Sequence, residues 1–394
     1  MSFRIRHVIY LAVAWLAAGC GDAPGLTVVK EDPSDLPLSG LSSDERQRFK
    51  DGDALFELPF RASMGLGPLY IRASCAACHA DDGRGPGAVT KMAAGEPAVD
   101  LPYGHTVRPQ MAAGATTAIV APVGAVTSLR VGPPVFARGY IEAISDSEIV
   151  RVESEQAAGG VVSGRINRVT YASQANPDTR FNRHQPGDTG LIGRFGLKAR
   201  IATVDEFAAD AFQGDMGLTS PLRPDELPNP DGLTDDQRLG VDVTADDVNV
   251  TADYVRTLAL PKRAAPDAAG AALFAQVGCA TCHVPSLRTA ADYPIALLAD
   301  IDAPVYSDVL LHDMGAELAD GIADGDASGS EWRTAPLVGM RFFRSFLHDG
   351  RAKTLGDAVV AHGGPGSEAS VAAAAFQALS AADQQRLLDF VAGL

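Results

Sequence analysis

The chain has 394 residues and a formal net charge of −16, with 49 acidic against 33 basic side chains. A surface of that sign repels phosphates, which argues against nucleic-acid binding. Hydrophobic residues make up 46% of the chain, which argues against disorder, and the longest apolar run, residues 8–18, is too short to span a bilayer.

The first 19 residues have the pattern of a secretory signal peptide. Arg4 and Arg6 precede the apolar run, and the small residues 17–19 lead directly to Cys20. A cysteine at this place resembles the lipidation site of bacterial lipoproteins, where acyl chains anchor a soluble domain. A plain signal peptide with a chance cysteine is the alternative. We expect residues 20–40 to form a lipidated tether, with the protein in the bacterial periplasm or at the cell surface, anchored to a membrane.

The remaining four cysteines fall into two C-x-x-C-H segments, residues 75–79 and 279–283. Two thiols three positions apart reach the two vinyl groups of one porphyrin, and the adjacent histidine reaches the iron. A disulfide framework leaves both histidines unexplained, a four-cysteine zinc site usually has closer pairs, and a redox C-x-x-C motif does not account for two copies. We therefore expect two covalent haem c groups, attached through Cys75, Cys78, Cys279 and Cys282, with His79 and His283 as iron ligands.

The two segments resemble distant repeats, because G-x-A-L-F precedes each of them, at residues 52–56 and 270–274. Each stretch predicts a short amphipathic helix, with Ser43 and Asp267 as N-caps. Another helix is predicted at the C-terminus, beginning with a capping box at Ser380. By contrast, residues 118–123, 128–131 and 149–152 are rich in β-branched side chains and predict short strands or extended loops.

The predicted fold is therefore mainly α, with two cytochrome c-like domains and irregular and short β insertions in the first. The N-terminal domain is expected over residues 41–233 and the C-terminal domain over residues 234–394. The proline-rich stretch 227–236 is the predicted linker between them.

Three groups of short motifs accompany the C-x-x-C-H segments. They are residues 60–70 with 82–85, residues 194–199 with 214–217, and residues 312–315 with 331–334, 346–351 and 362–364. Together these motifs resemble the di-haem c-type oxidoreductase family, a relative of bacterial di-haem cytochrome c peroxidases. The label "thiol oxidoreductase" often given to that family does not suit haem-bound thioethers, which cannot exchange disulfides.

The resemblance also suggests a second ligand for the C-terminal haem. The stretch T-L-x-x-A-V-x-x-H, residues 354–362, is similar to a peroxidase stretch whose final methionine ligates the electron-transferring haem. His362 stands in that place and is the favoured ligand. Met314 is the rival, although a core thioether is its simpler explanation. Met340 is a weaker rival, and His105 is a minor candidate for the N-terminal haem.

The reacting site is expected at the N-terminal haem, where the resemblance maps Asp215 onto a glutamate that lines the peroxide site. An acid or base beside the iron moves a proton between the two peroxide oxygens. Phe207 falls where relatives have a glutamine, so one hydrogen-bond donor is missing. Trp332 is a candidate electron relay between the haems, and its alternative is a packing aromatic. Asp215, Phe207 and Trp332 are thus the candidate catalytic residues.

The function that follows is a peroxidase-type oxidoreductase. Electrons enter at the C-terminal haem and pass to the N-terminal haem, which reduces hydrogen peroxide. A pure electron-transfer cytochrome and an oxygenase or protein-modifying oxidase are the alternatives. A small c-type cytochrome or another periplasmic donor is the expected partner, a basic one in view of the acidic surface. The resemblance also suggests a Ca²⁺ site at the carbonyls of Thr334 and Pro336, although the sequence does not complete its ligand set. Haem-propionate partners are expected among Arg84, Arg194, Lys198 and Arg351.

Overall fold

A computed structural model describes residues 36–112, 114–233 and 240–394. Within these ranges the chain is mainly helical, as expected, and its short strands pair into two-stranded antiparallel sheets. The predicted signal peptide, Cys20 and most of the predicted tether lie outside the described residues. None of the described helices is long and apolar enough to cross a membrane.

The described residues form ten α-helices. They are α1 Ser43–Glu57, α2 Arg138–Ala143, α3 Asp146–Gly159, α4 Val204–Met216, α5 Ala245–Thr257, α6 Ala268–Gln276, α7 Gly315–Leu318, α8 Leu355–Ala361, α9 Ser370–Gln377 and α10 Ala381–Ala392. The strands are β1 Leu69–Tyr70, β2 Ala88–Ala93, β3 Gln110–Met111, β4 Val126–Val131, β5 Arg168–Val169, β6 Leu191–Ile192, β7 Leu287–Arg288, β8 Asp302–Ala303, β9 Leu311–Asp313 and β10 Glu331–Arg333. They pair as β1–β3, β2–β4, β5–β6, β7–β8 and β9–β10.

Each C-x-x-C-H segment is preceded by a helix that a later helix crosses at a glycine. Helix α1 packs on α5, and a Cβ at Gly52 would lie 2.1 Å from the carbonyl oxygen of Val250. Helix α6 packs on α10, and a Cβ at Gly270 would lie 2.6 Å from the Cβ of Phe390. The glycine of the G-x-A-L-F repeat is thus the point where two helix backbones meet, since any side chain there would separate them.

The phenylalanine of the same repeat anchors each helix in a core. Phe56 is buried in the largest apolar cluster, which includes residues from both halves of the chain. Phe274 is buried in a second cluster with Phe346, Phe376 and Leu387. Glycine and phenylalanine four positions apart lie on the same face of a helix. The same face therefore makes the close contact with the second helix and packs into the core.

Helix boundaries agree with the predicted caps in two of three cases. Asp267 accepts hydrogen bonds from the Ala269 and Gly270 amides and caps α6, and Ser380 caps α10. The predicted cap Ser43 is wrong by one position. Ser42 is the N-cap of α1 and forms a capping box with Glu45.

The strand or extended structure predicted for residues 149–152 is wrong, because these residues lie in α3. Ser145 caps that helix, and Gly160 ends it in the left-handed conformation. Ile149, Val152 and Gln156 are its buried positions, with the spacing of a helix face. The prediction for residues 128–131 is correct, since they lie in β4.

The packing of α5 bears on the division of the chain. This helix begins at Ala245, after the predicted boundary at residue 234, yet it packs mainly on α1 and α4. Buried Arg256 of α5 binds Glu142 of α2 at 2.6 Å and Asp205 of α4 at 2.9 Å. By packing, α5 therefore belongs with the first C-x-x-C-H segment. The cytochrome c-like character of the two domains stays a prediction.

Candidate haem-binding sites

The first C-x-x-C-H segment forms a tight helical turn next to α1. Ser74 Oγ accepts a hydrogen bond from the Ala77 amide at 3.2 Å. The amides of Cys78 and His79 both donate to the Cys75 carbonyl at 2.9 Å. The turn holds both thiols and the imidazole in one short stretch, as attachment to a single porphyrin requires.

Two glycines pack closely against this turn, where any side chain would clash with it. A Cβ at Gly87 would lie 2.5 Å from the Cys78 sulfur, and a Cβ at Gly132 would lie 2.9 Å from the His79 ring. Nδ1 of His79 is buried and has no hydrogen-bond partner among the described residues. Burial and the charge of Arg138 lower the pKa of His79 to about 4. The imidazole is therefore neutral, the state that binds a metal.

The second segment repeats the turn after α6. The His283 amide donates to the Cys279 carbonyl at 3.0 Å, and Nδ1 of His283 hydrogen-bonds the Tyr306 carbonyl at 3.1 Å. This bond fixes the ring and leaves Nε2 available for iron. Burial, followed by the charge of His362, lowers the pKa of His283 to about 4.

His362 is held in the same manner at the end of α8. Thr354 caps this helix, and Nδ1 of His362 hydrogen-bonds the Ala358 carbonyl at 2.6 Å. Burial lowers the pKa of His362, which keeps its imidazole neutral as well. Both imidazoles are thus neutral and anchored through Nδ1. Met314 lies at the junction of β9 and α7 and stays the rival, whereas Met340 is a buried core residue.

The cysteines are not suited to thiol chemistry. No disulfide joins Cys75, Cys78, Cys279 and Cys282, all of which are free thiols. Burial, reinforced by the charge of Asp215, raises the pKa of Cys75 to about 12 and that of Cys78 to about 11. Reactive C-x-x-C motifs have a lowered thiol pKa instead. The donor set, with the unpartnered Nδ1 of His79, therefore fits haem.

Asp215 lies near the end of α4, and its main-chain carbonyl accepts hydrogen bonds from a neighbouring loop. The amides of Ile71 and Arg72 donate to the Asp215 carbonyl at 2.7 and 3.3 Å. Burial raises the pKa of the Asp215 carboxyl to about 6, against the opposing charge of Lys91. A carboxyl with this pKa can both accept and return a proton near neutral pH.

Phe207 lies on the same helix but provides no polar group. Its ring centroid is 6.3 Å from that of Phe195, and the Arg200 guanidinium is 5.8 Å from its centroid. Arg200 in turn pairs with Asp210, two turns before the end of α4. The charged side chains here, Lys91, Arg200 and Asp210, were missed from the sequence because nothing in their local pattern marks them.

Trp332 is buried on β10 between a histidine and a cation. The rings of Trp332 and His348 stack with centroids 3.8 Å apart and planes 11° apart. The Lys198 ammonium lies 3.9 Å from the Trp332 ring centroid, and the indole N–H donates to the Leu318 carbonyl at 2.8 Å. A cation over the ring stabilises the closed-shell indole and opposes its one-electron oxidation.

The buried imidazole of His312 is a charged group next to the second C-x-x-C-H segment. His312 bonds Asp308 and Glu368, each at 2.8 Å, and its ring is 3.8 Å from the Cys282 sulfur. Burial would lower the pKa of His312, but its bonds to Asp308, Cys282 and Glu368 raise it to about 12. The ligand atoms of Cys282, Asp308 and His312 lie within 4.8 Å of one another. A protonated imidazole cannot ligate a metal, so the geometry favours an ion pair.

Other predicted residues have protein partners. His105 is exposed, with Nδ1 at 3.2 Å from the Met92 carbonyl. The Thr334 carbonyl accepts hydrogen bonds from Ser307 and Arg333, which gives no support to a cation there. Each expected propionate partner also contacts protein, and these contacts are Arg84 with the Ser345 carbonyl, Arg194 with Asp146, Lys198 with the Glu331 carbonyl and Arg351 with Asp349.

The chain contains two C-x-x-C-H turns, and the histidine of each is neutral. This pair of turns indicates a protein of the di-haem class. Comparison with known families agrees with this conclusion. The family described as "di-haem oxidoreductase, putative peroxidase" matches residues 99–394, and the chain belongs to this family. The matched range contains Asp215, His283 and His362 but begins after the first C-x-x-C-H segment.

The other comparisons add little. No curated protein matches the chain. Among solved structures, Kuenenia stuttgartiensis hydrazine synthase pressurised with 20 bar xenon aligns with 13% identity and a TM-score of 0.36, over 100% of each chain. A likeness of this size carries no argument about fold or activity.

Proposed function

We propose that the chain is an exported di-haem c-type oxidoreductase of the peroxidase type. In this proposal electrons enter at the C-terminal haem, and hydrogen peroxide is reduced at the N-terminal haem. The observation that carries it is the asymmetry of the two sites. A second anchored histidine accompanies His283, whereas a carboxyl with a pKa of about 6 accompanies the first C-x-x-C-H turn.

The C-terminal site has the features of an electron-transfer centre. His283 and His362 are neutral and anchored through Nδ1, so both Nε2 atoms would be available to hold the iron of the bound haem. A haem held by both histidines would transfer electrons without binding a substrate. A second imidazole in place of methionine also lowers the reduction potential, which favours electron delivery to a partner haem.

The N-terminal site has the features of a reacting centre. Bound haem supplies an iron that binds peroxide and passes single electrons to it. His79 would hold that iron, with haem attached through Cys75 and Cys78. The charge of Asp215 raises the pKa of both thiols, which supports a position for this acid near the first C-x-x-C-H turn.

Asp215 then carries the proton chemistry of the reaction. Its carboxylate would accept a proton from one peroxide oxygen and return it to the other, which would leave as water. Together with two electrons and two further protons from solvent, one peroxide becomes two water molecules. A proton carrier works best when its pKa lies near the working pH, as the burial of Asp215 arranges.

The cellular setting is part of the same proposal. Lipidation at Cys20 would tether the protein to a membrane outside the cytoplasm. The net charge of −16 favours a basic donor, such as a small c-type cytochrome, because opposite charge accelerates encounter. Trp332 is kept as a candidate relay, although the cation above its ring makes it a poor one.

Electron paramagnetic resonance of the ferric, fully haem-loaded protein tests the proposal. We expect one low-spin signal from the His283–His362 pair and one high-spin or weakly ligated signal from the other haem. Equimolar peroxide should remove the latter signal within the mixing time. Two low-spin signals that peroxide leaves unchanged, even after half-reduction, would overturn the proposal in favour of an electron carrier.

A further inference from the structure

Tyr254 of α5 and Asp82 form a buried hydrogen-bonded pair close to the first C-x-x-C-H turn. The Tyr254 hydroxyl lies 2.8 and 2.9 Å from the two carboxylate oxygens of Asp82. Asp82 follows the histidine of the turn by three positions, and its main-chain carbonyl accepts a hydrogen bond from the Val135 amide at 2.8 Å. Tyr254 is 1% exposed and Asp82 is 4% exposed, so the phenol donates to a carboxyl that the protein shields from water.

A line of aromatic rings connects Tyr254 with the histidine of that turn. The Tyr254 ring centroid is 5.2 Å from that of Phe56, and the Phe56 centroid is 6.3 Å from that of His79. Both distances lie within the range of about 4.5–7 Å at which aromatic rings pack. Packed rings couple well enough for an electron to pass between Tyr254 and a haem held by His79.

The second repeat shows that the helix crossing does not require a phenol at this position. A Cβ at the glycine of each repeat would lie 2.6 Å from the Cβ of an aromatic residue, which is Tyr254 in α5 and Phe390 in α10. Phe390 also packs against the repeat phenylalanine, with its ring centroid 5.6 Å from that of Phe274. The position three after the second histidine is Ser286. The phenol and its carboxyl partner are therefore features of the first repeat alone.

The pair has what the oxidation of a tyrosine requires. A tyrosine gives up an electron readily only when its phenolic proton leaves as well, because its radical cation is a very strong acid. The Asp82 carboxylate can accept that proton at hydrogen-bond distance, without any solvent. The oxidant comes from the proposed function, since the reduction of peroxide withdraws two electrons from the haem at the first C-x-x-C-H turn.

We propose that Tyr254 is a redox-active tyrosine of the N-terminal haem site, with Asp82 as the acceptor of its proton. The inference rests on the proposed function. After peroxide has reacted, Tyr254 loses one electron to the oxidised haem and its O–H proton moves to Asp82, which leaves a neutral tyrosyl radical. One electron from the C-terminal haem and the proton held by Asp82 then restore the phenol. The pair thereby holds one of the two oxidising equivalents until the second electron arrives.

Electron paramagnetic resonance of the haem-loaded full chain, frozen shortly after mixing with equimolar peroxide, tests this proposal. Without an electron donor, we expect a narrow organic-radical signal in the wild type, whose line shape changes when the protein contains ring-deuterated tyrosine. Tyr254→Phe should abolish this signal. Asp82→Asn should also lose it, because the amide accepts a hydrogen bond but does not act as a base. The matched control Tyr306→Phe removes a phenol that packs against Phe274 of the second repeat and should keep the signal.

A merely structural pair would give a different result. Tyr254→Phe and Asp82→Asn would then lower the urea denaturation midpoint but leave the radical signal at wild-type yield, which overturns the proposal. A signal that deuterated tyrosine does not change, as expected for a radical on Trp332, overturns it too. In both cases loss of the high-spin haem signal still reports the reaction with peroxide, so the proposed function stands.

Two further outcomes are also decisive. If peroxide leaves both haem signals unchanged, the proposed function and this inference fall together. If Tyr254→Phe does not load haem, Asp82→Asn provides the test, since an undiminished tyrosine signal in that variant contradicts the proton transfer and overturns the proposal.

Discussion

The burial of the Asp215 carboxyl is predicted to lower the free energy of unfolding near neutral pH. Asp215→Asn should therefore stabilise the protein under those conditions. Burial raises the pKa of this carboxyl from its ordinary value of 3.8 to about 6. The folded state therefore binds a proton more tightly than the unfolded state. Stability falls as pH rises between these two values, and the full cost is present above the higher one.

The size of the effect follows from the same two values. Each pKa unit corresponds to about 1.4 kcal/mol, which gives an upper limit of about 3 kcal/mol at pH 7. Asparagine has nearly the same shape and no charge to bury. At pH 4 and below, where the aspartic acid is protonated in the folded state, the two proteins should differ little.

The assay is urea denaturation of the haem-loaded protein, followed by the haem absorbance band at several pH values. We expect the denaturation midpoint of Asp215→Asn to rise above that of wild type as pH increases from 4 to 7. Asp292→Asn, at an exposed aspartate, is the matched control for loss of one negative charge. A difference between wild type and Asp215→Asn that is the same at every pH would refute the reasoning.

Three further predictions concern activity and the haems. In wild type, kcat/KM for peroxide should rise with pH through about 6, since the carboxylate of Asp215 is the proposed proton acceptor. Stopped-flow kinetics should show that Asp215→Asn reacts roughly 10²–10⁴-fold more slowly and that its kcat/KM does not rise with pH through this range. His362→Ala should convert the C-terminal haem from low-spin to high-spin in electron paramagnetic resonance, and an unchanged spectrum would favour Met314 as the ligand. Lys198→Met removes the cation 3.9 Å from the Trp332 centroid, so peroxide should then produce a stronger tryptophan radical signal than in wild type; an equal signal would contradict this.

The sequence predicted those parts of the molecule whose signals are local. The two C-x-x-C-H turns, the caps Asp267 and Ser380 and the helical character of the repeats all depend on residues a few positions apart. Residues 149–152 were misassigned because β-branched side chains outweighed a serine cap four residues earlier. The structure places Ile149 and Val152 on the buried face of α3, where tertiary packing overrides propensity.

The charged groups that act on the pKa of Asp215 could not be predicted because tertiary pairing brings them together. Lys91 lies on β2, which begins 38 residues before its partner strand β4. Arg200 pairs with Asp210 on α4. No spacing rule connects these positions, and the resemblance pointed only to Asp215 and Phe207, which lie on the helix itself.

The two copies of the repeat differ in the length of chain between the phenylalanine and the C-x-x-C-H segment. Phe274 lies five residues before Cys279, whereas Phe56 lies nineteen residues before Cys75. The extra residues of the first copy lie against the end of α4, where the Gly67 amide donates to the Met216 carbonyl at 3.0 Å.

A Cβ at Gly217 would lie 2.6 Å from the Gly67 carbonyl oxygen, so the loop and the helix end are in close contact. The next amides of the loop, those of Ile71 and Arg72, bind the carbonyl of Asp215. The insertion thus fixes the acid beside the first C-x-x-C-H turn. The second copy has no such loop, and the charge of His362 at the end of α8 lowers the pKa of His283 instead. In the proposed function, the length of this loop would distinguish an open reacting site at the first segment from a closed electron-transfer site at the second.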